Sequence, residues 1–305
     1  MGLICEYAIT PSVFSAAVNT IDSKHNFRRL KEILLESGVV RDLHDGHWYQ
    51  LFAGDQYVWD ADRIKFLSNL KRQNRLRTFT SVAAATPSDD VEWCREALAS
   101  HNADQLKGVI SIEQTCRNIR QPNLVTSIEK MHCCSWIPSI ECSIHLNMKA
   151  QDYMDALKLI IQCSNSIMFI DPYLNPIDSG YDVFDHLFVE AGKRIVKPQI
   201  EIHTSCKAEA HISDQAILGD LEKNYRDSWS DLVNQNGLEL DVYKWPNFHD
   251  RYIITDLVGL SLPFGFKSTT ASNDKTIWTR LQRRDRDIIQ TQYSKTNRPR
   301  SFKIL

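Results

Sequence analysis

The second half of the chain carries a regular alternation of hydrophobic patterns. From Asp152 to Gln162 the apolar residues Met154, Leu157, Ile160 and Ile161 fall at helical spacing. Ser166-Ile167-Met168-Phe169-Ile170 is then a short continuous apolar run stopped by Asp171-Pro172, the pattern of a strand buried on both faces. Val183, Leu187, Phe188 and Ala191 mark a helix closing near Gly192, and Gln199 to Thr204 alternates as a strand. Asp214 to Asn234 predicts a long amphipathic helix with Leu218, Leu221, Tyr225, Trp229, Leu232 and Val233 on its apolar side, ended at Asn236-Gly237. Leu238 to Trp245 alternates again. Arg251 to Thr255 and Leu260 to Phe264 predict a hairpin about Leu257-Val258-Gly259, and Ile277 to Ile289 a closing helix. The order α-β-α-β-α-β-β-β-α predicts a layered α/β domain of about 150 residues.

The first half is less regular. Leu3 to Ile9 predicts a strand and Thr10-Pro11 a helix start, with helices over Phe27 to Leu35, Ala61 to Leu70 and Glu92 to Ala99; Leu106 to Ile112 opens as a helix or a strand. No repeat, glycine-rich phosphate loop or low-complexity segment interrupts it. These patterns predict a separate α+β domain of unknown role over residues 1–148, a junction near residues 146–151, and the later domain over residues 149–305. The basic residues between Arg63 and Arg77 read as the wet face of a helix or as a contact for a partner protein. Asp42, His44, Asp45 and His47 are residue types that a metal-dependent nuclease uses, but an Asp-Gly turn explains them more simply.

Composition bounds the picture. At 305 residues and 43% hydrophobic, the chain can bury one or two ordinary cores. No run approaches the ~18 apolar residues of a membrane span, and no charged start precedes a long apolar stretch, so a soluble, cytoplasmic protein is expected. The eight cysteines are scattered and are expected to be reduced and buried. His132-Cys133-Cys134 with Cys142 and His145 lacks the C-x2-C knuckle of a zinc site and reads as a packed strand pair, so no metal or cofactor is expected. Charge is uneven: residues 241–305 hold 12 Lys and Arg against 6 Asp, a balance of +6, whereas the rest holds 24 against 32, or −8. Arg280, Arg283, Arg284 and Arg286, then Lys295, Arg298, Arg300 and Lys303 in a tail without helix signals, form either a track for a polyanion or a solvated helix face with a loose basic tail.

The candidate chemistry lies in Phe248-His249-Asp250-Arg251-Tyr252-Ile253-Ile254-Thr255-Asp256. Of ten histidines, His249 alone has a Lys or Arg two residues downstream. On one strand, His249 and Arg251 project to the same face, an arrangement suited to holding or attacking a phosphate ester. Asp171, at a predicted strand end, stands where α/β sheets place ligands, and Thr204 and Lys207 follow the next strand.

This motif resembles the H-x-K-x4-D signature of the phospholipase D superfamily, with Arg251 in the lysine's place. Ile170-Asp171-Pro172-Tyr173-Leu174, Phe248-His249-Asp250-Arg251 and the return run Gly259 to Phe266 resemble a single-motif branch. Its members include C-terminal domains of MIT-domain proteins and phospholipase D-like domains of bacterial defence and mobile-element proteins. The resemblance covers residues 150–292 and implies one phospholipase D-like half-domain. It also implies covalent catalysis without a metal: His249 attacks phosphorus, Arg251 grips non-bridging oxygens, and Asp256 orients a histidine across the site. One motif per chain implies a homodimer with the site on its two-fold axis. The Gly-Ser-x-Asn that usually follows is out of register: Pro263 falls near its glycine, and Ser268, Ser272 and Asn273 are the nearest polar candidates. The implied function is a phosphodiesterase acting on nucleic acid, a nuclease in a defence or mobile-element setting. The alternative is an inactive module that binds phosphates of nucleic acid or an anionic membrane, or that scaffolds a complex.

Overall fold

The computed structural model describes residues 3–18, 20–54, 58–137, 142–205, 214–245, 248–271, 273–294 and 300–305; for 214–218 and 300 only the backbone is described. The chain divides into two units, one of residues 4–141 and one of residues 142–305 with 1–3.

The N-terminal unit alternates strand and helix: β1 (Cys5–Ile9), α1 (Ile21–Ser37), β2 (Gly38–Asp42), α2 (His47–Gln50), α3 (Ala61–Arg72), β3 (Leu76–Thr78), α4 (Asp90–Ala103), β4 (Gly108–Ser111), α5 (Glu113–Ile119) and β5 (Val125–Ser127). Its described strands form one sheet of order β3-β2-β1-β4-β5, and every pair is parallel. This is a doubly wound α/β unit, not the α+β arrangement expected from the sequence. The strands are only three to five residues long, and β2 follows α1 without an intervening turn, so their pattern is hidden between the helices.

The basic stretch also turns inward in part. Arg63 is buried and donates to the Val13 and Val18 carbonyls, and buried Arg75 donates to the Gly38 carbonyl at 2.8 Å. Arg77 joins a buried network across β1, β2 and β3, in which Glu6 accepts from Arg41 at 2.5 Å and from Arg77 at 2.7 Å. Charges desolvated to this degree persist only when paired.

The C-terminal unit runs β6 (Ser143–Asn147), α6 (Ala150–Cys163), β7 (Ser166–Ile170), α7 (Val183–Gly192), β8 (Gln199–Ser205), α8 (Asp214–Gln235), β9 (Leu240–Trp245), β10 (Tyr252–Thr255), β11 (Gly259–Ser261), β12 (Lys275–Arg280), α9 (Arg283–Gln292) and β13 (Arg300–Ile304). The described strands form a mixed sheet of order β13-β9-β8-β7-β10-β11-β12-β6. β7, β8 and β9 are parallel, and the strands on either side of them are antiparallel. β6 belongs to this sheet, so this unit starts several residues before the expected 149.

Alternation along β7 assigns its two faces. Phe169 packs against Phe184 of α7 and Phe266, and Trp229 of α8 completes this aromatic layer. Met168 and Ile170 face the other way and pack with Ile254, with Ile289 of α9 and with Tyr293 just after that helix. Two expectations change here. Residues 275–280 are a strand rather than the start of the closing helix, and the tail residues 300–304 form an edge strand antiparallel to β9. No helix among the described residues is long and apolar enough to cross a membrane.

Candidate phosphate site at the carboxyl end of β7

The pairing register builds the site. Tyr252 of β10 stands opposite Ile170 of β7, so Arg251 and Asp171 meet just beyond that pair, with the Arg251 Nε 3.6 Å from Asp171 Oδ1. Asp171 is only 1% exposed. Its carboxylate accepts from the backbone amides of Tyr173 at 3.0 Å and Phe266 at 3.3 Å. Burial pushes this carboxyl above the usual range, against the two amide bonds and the Arg251 charge, which pull it down.

Arg251 is fixed on several sides. Its Nη1 donates to the Pro263 carbonyl at 2.7 Å, and its guanidinium lies 4.9 Å from the centre of the Tyr173 ring. Among the described residues Nη2 has no hydrogen-bond partner. The loop after β11 closes over the pair because buried Phe266 anchors it in the aromatic layer. Gly265, at φ +66°, lies so close that a Cβ there would stand 2.2 Å from Asp171 Oδ2 and 2.8 Å from Arg251 Cδ.

His249 is exposed at the same edge, in the segment before β10 rather than on the strand expected to carry it with Arg251, and its ring has no hydrogen-bond partner among the described residues. Asp250 beside it is exposed as well.

Asp256 is elsewhere. Thr255 pairs with Ile167, so Asp256 lies at the opposite end of the strand, where it accepts from the amides of Asn165 at 3.0 Å and Ser166 at 3.4 Å. At ~3.3 Å per residue, about 17 Å of chain separates it from Arg251. The expectation that it orients a histidine is corrected: at that distance its carboxylate ties β10 to the entry of β7.

The other expected residues are not gathered at Arg251. Ser268 commits its hydroxyl to Asp182 at 2.7 Å, and Asn273 is exposed in the turn before β12. Arg280 ends β12 and donates to the Leu3 carbonyl. Arg283 and Arg284 open α9 at the sheet edge where Arg286 donates to the Asp256 carbonyl, opposite to the Arg251 edge. They line an open groove of about 720 Å³ with Asp287, Ile288 and Thr291. Lys207 and Ser272 lie outside the described residues.

Sequence reasoning gave no role to His203, which is fully buried at the end of β8. Its Nδ1 accepts from the Trp245 indole at 2.9 Å; an indole only donates, so the proton sits on Nε2, which faces Glu201 at 3.3 Å. Its carbonyl accepts from the Asp171 amide, and its ring packs on Tyr293, which also packs on Phe248 next to His249. The alternation of Glu201 and His203 on one strand face was the signal available.

In the N-terminal unit, His44, Asp45 and Gly46 are three successive left-handed residues. Both His44 ring nitrogens meet hydroxyls, of Ser81 at 2.7 Å and Thr86 at 3.2 Å. Among the described residues no group of three or more His, Cys, Asp or Glu side chains is placed to hold a metal ion. Cys133 and Cys142 are exposed rather than buried as expected.

Asp42 is 8% exposed, and burial pushes its carboxyl up to about 6, against the Tyr49 amide, Lys71 and His47. A folded-state pKa above the unfolded value favours the protonated fold, so stability falls as pH rises from about 4 to about 6 and stays lower above that window. Asp42→Asn keeps an acceptor for the Tyr49 amide and is expected to be more stable than the parent at pH 7, on the order of 2 kcal/mol. The difference should vanish near pH 4 in urea denaturation; a variant less stable at pH 7 refutes this account.

No family model matches the chain. No curated protein matches it either. Among solved structures, the chain is similar to TrmBL2, an archaeal chromatin protein with a novel mode of DNA binding, at 9% identity, 77% coverage of this chain, 68% of that chain and a TM-score of 0.29. It is also similar to the phosphatidylserine synthase of Haemophilus influenzae Rd KW20, at 11% identity, 51% coverage of this chain, 38% of that chain and a TM-score of 0.31. At such TM-scores neither likeness bears on fold or function.

Proposed function

We propose that the C-terminal unit is a phospholipase D-like domain, and that the chain is a metal-independent phosphodiesterase acting on nucleic acid, with its site completed by a second copy. The reading is carried by exposed His249 standing two residues before Arg251, whose guanidinium is oriented by Asp171, Tyr173 and Pro263 at the carboxyl edge of the sheet.

In this reaction the imidazole of His249 attacks phosphorus, an N–P bond forms and the P–O bond to the leaving group breaks. The leaving oxygen takes its proton from a second histidine, supplied by the other copy, and water then hydrolyses the phosphohistidine. Arg251 Nη2 meets a non-bridging oxygen as its charge grows.

A second reading has its own support. Arg251 already neighbours Asp171, and exposed Asp250 lowers the positive potential beside His249. Both suit a module that binds a phosphodiester without cleaving it.

Labelled DNA and RNA incubated with excess EDTA separate the two. Cleavage that persists in EDTA and falls about a thousand-fold or more in His249→Ala is the expected result. Salt-sensitive binding without cleavage, equal in both proteins, selects the binding module. EDTA-sensitive cleavage indifferent to His249 overturns both.

A further inference from the structure

We infer that this site takes single-stranded nucleic acid, with Tyr173 and Phe264 as platforms on which unpaired bases stack to either side of the bound phosphate. The inference rests on the reading of His249 and Arg251 as a phosphodiester site.

Tyr173 and Phe264 are large rings left 43% and 59% exposed. Tyr173 follows β7, Phe264 follows β11, and Arg251 leads into β10, which lies between those two strands. The two residues therefore follow strands that lie on either side of β10, two apart and so roughly 10 Å across the sheet.

The backbone that carries each ring is fixed by the site itself. The Tyr173 amide donates to Asp171, its carbonyl accepts from the Tyr181 hydroxyl at 2.9 Å, and Arg251 covers one ring face. Phe264 sits between Pro263, whose carbonyl accepts from Arg251, and Gly265, which abuts both Asp171 and Arg251. An aromatic ring ordered in advance loses little entropy when a base settles on it. Exposed rings beside a cation are what binds unpaired bases, because every base has a π-face and a duplex keeps those faces stacked inside.

The test is fluorescence anisotropy on the full chain carrying His249→Ala, which leaves the probes uncut and serves as the parent here, with four labelled probes of equal length: single-stranded DNA, single-stranded RNA, a blunt duplex, and an abasic deoxyribose-phosphate strand. The expected order places single strands at least about tenfold tighter than the duplex or the abasic strand. Phe264→Ala should weaken single-strand binding about tenfold and leave abasic binding unchanged, Tyr173→Ala should weaken single-strand binding about tenfold more than it weakens abasic binding, and Tyr173→Phe and Phe264→Trp keep parental affinity.

Alanine variants that bind single strands as tightly as the parent, or a parent that prefers duplex or does not distinguish the abasic strand, overturn the stacking role and leave the phosphodiester reading intact. A parent that binds no probe removes that reading too. Ile177 shares the loop of Tyr173 and is 60% exposed, so vesicles of phosphatidylserine and phosphatidylcholine form a further arm. Vesicle binding lost in the alanine variants, with oligonucleotide binding unchanged, would assign the rings to a lipid surface and overturn the inference.

Discussion

Gly265→Ala is expected to destabilise the C-terminal unit by about 3 kcal/mol and to disperse the candidate site with it. Two costs combine. At φ +66° a residue with a Cβ is strained by about 1–2 kcal/mol. The added methyl would also stand 2.2 Å from Asp171 Oδ2 and 2.8 Å from Arg251 Cδ, so the buried carboxylate must leave its amide donors or the loop must lift off the sheet. Urea denaturation of the single variant measures the sum. The same substitution made on top of Asp171→Ala should cost mainly the backbone part, about 1–2 kcal/mol, because the carboxylate clash has been removed and the exposed end of the Arg251 side chain can shift. Equal costs in the two backgrounds would show that Gly265 is needed for its backbone alone.

Asp171→Ala should cost about 2–4 kcal/mol, because it leaves two amides without their acceptor and a guanidinium without its counter-charge. Its pH dependence has a definite sign. Burial raises this carboxyl above its unfolded value, so the folded state favours the protonated form. The stabilisation by Asp171 is therefore fullest below the unfolded pKa and declines as pH rises through the folded one. The cost of the substitution is expected to be greater at pH 4 than at pH 8. A cost that grows with pH would mean that attraction to Arg251 outweighs burial.

Much of the central sheet was legible because its strands are continuous apolar runs bounded by helices. β7 is the clearest case: Asp171-Pro172 stops it, and both its faces are covered. β12 was misread because Ile277, Trp278, Leu281, Ile288 and Ile289 also satisfy a helical period. On the strand, Thr276 and Trp278 face inward and Ile277 is half exposed. β13 was concealed by its charges, although Phe302 and Ile304 alternate toward the core. In the N-terminal unit, strands of three to five residues gave too few positions for a period to appear.

The site was legible in its residues and not in its geometry. His249, Arg251 and Asp171 stand at one edge, but the Arg251–Asp171 pairing depends on the β7–β10 register, which no linear pattern encodes. Linear reasoning misplaced Asp256 for the same reason: Arg251 and Asp256 lie just beyond opposite ends of the four-residue β10. Gly265 and Phe266 resembled a family landmark, and their task of closing the loop over Asp171 becomes visible only with the sheet assembled.

Asp171 and Arg251 are 80 positions apart in the chain, and α7, β8, α8 and β9 intervene between them. Closing a loop of that length has an entropic cost that only completed long-range contacts offset, so this pairing is expected to form late in folding. A chain caught midway, with its parallel strands laid down and β10 still undocked, would carry His249 on an untethered segment far from its cation. The register thus acts as a quality check on the nascent molecule: whatever chemistry the site performs, a half-folded copy has no means to perform it.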